Sequence, residues 1–312
     1  MRREGSPWQG LGVVMLKELS DHLASARMRV LEWLVVLTAI AAVYAAITQV
    51  RDATAEDPFV FLRLFTTARD PLPSFVSFLG FLVPLMAIGL GFDAVNGEHG
   101  RRTLSRILSQ PIYRDALLFG KFLAGIITLS ISLTALWLLL IGLGLLMLGV
   151  PPSSAEIGRA LAFLAVTIAY AGVWLALAML LSVTFRSPAS AGLITLGIWL
   201  FLTVIWPSLT PAIAQALVPP HQEVTLLVTS QMLARLSPST LFGETVLALL
   251  HPTTRTLGPV YLSDLQGAVM GAPLPLLQSV LVAWPQIVGL LAATILLFVG
   301  GYVAFQRQEV RA

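Results

Sequence analysis

Six stretches without Asp, Glu, Lys or Arg divide the chain: 33–50, 71–92, 122–155, 160–185, 187–222 and 265–306. A helix that crosses a hydrocarbon core of about 30 Å needs roughly 20 residues, and each stretch can hold one. Pro151 and Pro152 close the third, which reads as one long helix ending in a turn. The fifth is predicted to end near Pro207 to Pro211, and the sixth fills the later part of its stretch. None alternates polar and apolar residues over about ten positions as an outer-membrane barrel strand does. The expected fold class is an all-α polytopic membrane protein with six transmembrane helices, at 31–50, 73–92, 118–148, 160–184, 189–210 and 280–305.

The segments between the spans carry patterns of their own. Before the first span, Trp8, Leu11, Met15, Leu19 and Leu23 recur at three- and four-residue spacing, while Lys17, Glu18 and Asp21 fall on other faces. This predicts an amphipathic elbow helix within 1–30, lying in the membrane interface. The first long apolar run begins only after about thirty residues and lacks a small-residue cleavage site, so no cleavable signal peptide is expected. The connection 211–279 is long, poor in charge and patterned for helices at 224–236 and 241–250. Ser237-Pro238 reads as a cap followed by proline at a helix start, and with Glu244 these residues mark a helical external cap between spans five and six. Its short helices are placed over the outer mouth, some of them candidates to re-enter the membrane. The smaller outer loop, 51–70, mixes acids with arginines and reads as solvated.

Composition narrows the class further. Charged residues make up 11% of the chain and the mean hydropathy is +0.86, whereas a soluble domain carries about 25% charge. A soluble chain could not cover itself with so few charges. Counting Lys and Arg in alternate connections puts 13 on the side of the two termini and 6 on the other, which places both termini in the cytoplasm. The pI near 9.6 is then met by anionic lipid headgroups, and no nucleic-acid partner is needed.

Several chemistries are excluded or left without support. There are no cysteines, so disulfides, thiolate metal sites and cysteine catalysis are ruled out. His22, His99, His221 and His251 do not fall at metal-ligand spacing, and no metal site is expected. The Gly120-Lys121 pair lacks the earlier glycine of a phosphate-binding loop and is followed by Phe122. Neither a G-x-S-x-G elbow nor an H-E-x-x-H helix occurs, so the chain is not expected to be an enzyme by itself. The spans contain almost no ionisable groups, which offers little to an ion-coupled secondary carrier, whose site would sit at the midplane.

Residues 93–121, DAVNGEHGRRTLSRILSQPIYRDALLFGK, stand apart. Asp93 and Asn96 can cap a helix whose positive end lies near Glu98. Leu104, Ile107 and Leu108 then form an apolar stripe beside Arg101, Arg102, Ser105 and Arg106, until Pro111 interrupts it. The expectation is a short amphipathic helix within 94–113, joined to two spans and exposed to the cytoplasm.

This run resembles the signature of ABC type 2 (ABC-2) export permeases. The matching residues are Asp93, Glu98, Thr103-Leu104, Ile107-Leu108, Pro111, Arg114 and Gly120-Lys121, with Arg102 standing where the family commonly has Gly. The elbow LKELSDHLASARMR and the segment LARLSPSTLFGETVLALLHP, which ends at Pro252, are also similar to the family's pattern. Within the family the chain looks most like permeases grouped with nitrous-oxide-reductase maturation systems, the multi-copper enzyme maturation permeases. The resemblance implies a multi-pass subunit of a bacterial plasma (inner) membrane that pairs with a second copy of itself and with two separate ATP-binding subunits. Those subunits, not this chain, would bind ATP and Mg. The coupling set would be Glu98, Arg101, Arg102, Thr103, Leu104, Arg106, Ile107, Leu108, Pro111 and Arg114, seated in a groove of the ATPase. An external accessory protein is a further candidate partner, membrane lipids surround the chain, and amphipathic, lipid-like or peptide cargo suits its apolar and small residues. An ATP-driven module that works an external partner or metalloenzyme assembly without bulk transport stays open beside this reading, as does a secondary carrier.

Overall fold

A computed structural model of the protein describes residues 8, 10–50, 59–68, 73–100, 113–149, 151–219, 221–258 and 273–307. The described residues are helical, with no strand among them. In chain order the helices are α1 (Leu11–Ala24), α2 (Ala26–Val50), α3 (Val60–Thr66), α4 (Phe75–Gly91), α5 (Asn96–Gly100), α6 (Arg114–Leu148) and α7 (Ser154–Thr184). There follow α8 (Pro188–Leu200), α9 (Trp206–Leu217), α10 (Glu223–Ala234), α11 (Pro238–Leu250), α12 (Leu276–Val282) and α13 (Trp284–Arg307). Six candidate spans are long and apolar enough to cross a membrane: α2, α4, α6, α7, α8 continued through α9, and α13. Their outward faces suit a hydrocarbon solvent, since Leu146 is 84% exposed and Leu296 72% where water would penalise them.

Helix α7 forms the centre of the bundle, packed by α13, α4, α11, α6 and α8. A complete capping box starts it: Ser153 accepts from the Glu156 amide and Glu156 accepts from the Ser153 amide. Close approach to α7 depends on small residues. A Cβ on Gly91 of α4 would lie 2.8 Å from the Ala178 Cβ, so any side chain there would force the two helices apart.

The spans alternate in direction, because their ends gather at two poles. At one pole lie α1, the start of α2, α5, the start of α6 and the ends of α7 and α13, joined by Arg27–Asp93, Asn96–Phe185 and Tyr302–Asp115 contacts. At the other, α3 meets the start of α7 through the Phe61 amide, which donates to Glu156 at 2.8 Å.

One expectation changes. The fifth span does not stop at its prolines but runs from Pro188 to Leu217. Its Phe201–Ile205 stretch widens into a π-turn, where the Trp206 amide donates to the Phe201 carbonyl five residues back. Pro207 would otherwise press on the carbonyl four residues before it, and the widened turn relieves that clash. Pro211 leaves the Pro207 carbonyl without an amide partner, and the Thr210 hydroxyl donates to it instead at 3.0 Å.

The segment between spans five and six packs along the bundle. Ser239, near the start of α11, lies 2.9 Å from the Tyr170 hydroxyl at the middle of α7, while the Leu249 carbonyl near its end accepts from Arg159 at 2.7 Å. Helix α11 therefore runs antiparallel along the N-terminal half of α7, with Phe242 stacked on Tyr170 at 4.4 Å between centroids. Helix α10 descends beside α9 to the same depth, where the Leu233 carbonyl accepts from the Trp206 indole at 2.8 Å. The pair forms a helical hairpin packed against α9 and α7.

Candidate functional site

The pole that holds α1 and α5 is built around one buried cation. Lys121 lies two turns inside α6 and is 4% exposed. Its ammonium sits 2.7 Å from Glu98 of α5 and 3.0 Å from Glu18 of α1. Three segments distant in sequence thus meet on one charge. The preceding Gly120 lets α1 come close: a Cβ there would stand 2.8 Å from Val14 Cγ1 and 3.3 Å from the Leu11 carbonyl. The Gly-Lys pair therefore has a physical division of labour, with the glycine admitting the elbow and the lysine binding it.

Around this centre the contacts widen. Lys17 pairs with Glu18 at 2.9 Å and with Asp21 at 3.1 Å on the exposed side. Burial alone would push the Glu18 carboxyl up, but the Lys121 ammonium, with Lys17, outweighs it and holds the group below the usual carboxylate range. For Lys17 burial acts downward, and its bonds to Glu18 and Asp21 reverse the balance and raise it. Arg27, one helix later, donates to Asp93 at 2.9 Å and lies over the Phe92 ring at 5.1 Å. The turn from α4 into α5 is fixed by α7, since the Ser182 hydroxyl accepts from the amides of Val95 and Asn96 at 3.0 and 3.3 Å. Asp115, in the first turn of α6, accepts from Tyr302 at 3.1 Å and from Gln306, which ties the sixth span to the same pole.

The elbow residues are placed differently from the expected stripe. Glu18 is buried against α6 beside Val14, while Leu11, Met15 and Leu19 are half-buried at its flanks. Trp8 and Leu23 are exposed, and Lys17 faces outward. Side-chain polarity alone sets Glu18 on the solvent face of the helix; a cation buried in another helix reverses that. Asp93 serves through its carbonyl, which accepts from the Gly97 amide at 3.0 Å, while its carboxylate holds Arg27. Glu98 falls within the first turn of α5 and Arg114 is the first residue of α6. Arg101, Arg102, Thr103, Leu104, Arg106, Ile107, Leu108 and Pro111 lie outside the described residues.

At the opposite pole the spans contain charges that charge-free windows missed, because α7 starts at Ser154, before the window does. Arg159, 1% exposed, donates to the Leu249 carbonyl at 2.7 Å, to Ser279 Oγ at 3.1 Å and to the Leu274 carbonyl. Glu244 of α11 gathers Arg235 at 2.8 Å, Gln231 at 3.0 Å and Gln286 of α13 at 2.8 Å. Ser237 stands at the N-cap position with Pro238 following it, but its carbonyl receives the Thr240 and Leu241 amides and its hydroxyl makes no capping bond.

Comparison with known proteins gives these two poles a context. A family model described as ABC-2 family transporter protein matches residues 13–310. A probable ABC transporter permease protein NosY of Pseudomonas aeruginosa is 32% identical over 148 residues, covering 46% of this chain and 52% of that protein. A protein of the same description from Stutzerimonas stutzeri is 29% identical over 196 residues, covering 61% of this chain and 65% of its own length. The chain thus spans between about half and two thirds of the curated relatives it matches.

Proposed function

Since the chain belongs to the ABC-2 family of transporter proteins and is a multi-pass membrane subunit of that class, we propose that two copies form the permease of an exporter driven by separate ATP-binding subunits. In this reading the pole built on Lys121 faces the cytoplasm, the 94–113 segment docks on the ATPase, and the hairpin α10–α11 closes the outer end of the path. The observation that carries it is the ion cluster itself. A segment that is to transmit force must be attached firmly at its base, and Glu98 is attached through Lys121 to both the third span and the elbow. Movement of the 101–112 stretch by a partner would then pull on α6 and α1 together.

The division of labour follows from chemistry. The apolar Leu104, Ile107 and Leu108 supply the area that binds a groove, and Arg101, Arg102 and Arg106 set register through complementary charge. With Leu104 and Leu108 both replaced by Asp, two anchors become desolvated charges. Recovery of the ATP-binding subunit in detergent co-purification should fall by about tenfold or more; full recovery with full transport-linked ATPase activity would reject the docking role. Glu98→Ala should leave membrane insertion intact, because every arginine stays in place, while weakening the coupling of ATP turnover.

Sidedness is tested separately. Reporters fused after Arg311 and at Arg102 should read cytoplasmic, and one at Arg255 should read external. A swap at any of the three would reverse the proposed orientation.

A further inference from the structure

Between α2 and α6 lies a groove of about 320 Å³, walled by apolar side chains and carrying a single carboxylate, that of Glu32. Glu32 belongs to the first candidate span, five residues beyond Arg27, and so about 7 to 8 Å further along the axis. Its carboxylate accepts from the Ser132 hydroxyl at 2.8 Å and meets no cation among the described residues. A carboxylate within a span is costly and calls for a functional partner, and this one stands half-buried beside an open space.

The groove has a direction. Helices α2 and α6 both run away from the Lys121 pole, so residue numbers rise with depth. Glu32 lies at the near end, and Val35, Leu136 and Leu139 extend the wall inward, with buried Met86 of α4 also lining it. The rim is apolar and outward-facing, for Ile131 is 46% exposed and the neighbouring Trp33 65%. A site with a charged acceptor at the end nearer the Lys121 pole and hydrocarbon walls running on beyond it matches an amphiphile with its charged end at Glu32 and its chain along those walls. The sign of the charge requires a cationic donor.

We propose that the Glu32–Ser132 groove binds a membrane phospholipid whose headgroup ends in a primary ammonium, the ammonium donating to Glu32 and one acyl chain lying along Val35, Leu136 and Leu139. A quaternary headgroup has no N–H to donate, so the site selects ethanolamine-type over choline-type lipid. Assignment of this lipid to the cytoplasmic leaflet rests on the orientation proposed above; its binding depends neither on that orientation nor on an ATP-binding subunit.

The test uses the full chain reconstituted in vesicles of phosphatidylglycerol with either phosphatidylethanolamine or phosphatidylcholine, re-extracted in detergent and weighed intact to count retained lipids. One phosphatidylethanolamine per chain is expected, with phosphatidylcholine retained about tenfold less. Glu32→Gln keeps the size and the acceptor for Ser132 but removes the charge, and should lower phosphatidylethanolamine retention by about tenfold while phosphatidylglycerol retention stays unchanged. Ala135→Phe, at an exposed position of the wall, should fill the groove, lowering retention with the carboxylate intact. Excess free ethanolamine should not displace the lipid, because it lacks the chain. Equal retention of the two lipids, undiminished retention in either variant, or full displacement by ethanolamine would each overturn the proposal.

Discussion

Lys121→Met should destabilise the bundle by about 3 to 5 kcal/mol, the cost of removing one partner from a buried ion pair. The substitution preserves the aliphatic volume and deletes only the ammonium. Glu98 then loses a partner at 2.7 Å and Glu18 one at 3.0 Å, and two carboxylates are left sharing the space the ammonium separated. Lys17 can hold Glu18 from the solvent side, but its side chain is 58% exposed, and such a pair contributes little. The unfolding midpoint in detergent should fall accordingly, and Glu18→Gln with Glu98→Gln in the same chain should restore part of the loss. An unchanged midpoint in Lys121→Met would show that the cluster contributes nothing to stability. The pH dependence has a definite sign. The folded Glu18 pKa is held low, so its contribution is complete above the unfolded carboxylate value of about 4.3 and is lost as pH falls through the lower folded value. The difference between wild type and variant should therefore narrow on acidification below about pH 4.

The reach of sequence reading differs between spans and clusters for a physical reason. A span is written locally, as roughly 20 consecutive apolar residues, and all six were legible. The family was legible too, because Asp93, Glu98 and Gly120-Lys121 sit in one continuous run. The Lys121 cluster was not, although Glu98 and Lys121 stand in that run and Glu18 in the elbow. Glu18 looked solvent-facing because helix periodicity sorts residues by their own polarity, and nothing within α1 announces that a cation waits in α6. Arg159 falls in the short connection before the charge-free stretch 160–185, and only the three acceptors that surround its guanidinium show why the helix runs through it. The fifth span shows the converse limit. Pro207 and Pro211 are sound reasons to end a helix, but a π-turn and one threonine hydroxyl supplied what the prolines removed.

Arg159→Leu should be the most damaging single change at the opposite pole. The guanidinium reaches the Leu249 carbonyl, Ser279 Oγ and the Leu274 carbonyl from the first turns of α7, joining the end of α11 and the lead into α13. Leu249 and Ser279 are 0% exposed, so little water can replace the lost donor there, and orphaned buried groups cost about 1 to 3 kcal/mol each, with incomplete additivity. A loss of about 2 to 5 kcal/mol is expected. Arg159→Lys should recover only part of it, because an ammonium is a point donor that cannot reproduce the planar fan of a guanidinium. The absence of cysteine from the chain makes the local consequence measurable. With Leu249→Cys, a side chain 0% exposed in the parent, maleimide labelling should be slow, and addition of Arg159→Leu should accelerate it by about tenfold or more as the end of α11 frays. Because Lys121, Glu18 and Glu98 are untouched, recovery of an ATP-binding partner should stay high in the same variant. Labelling that stays slow together with an unchanged unfolding midpoint would mean that α11 is held by its apolar packing on α7 alone, and that the buried arginine is not what seals this end of the hairpin.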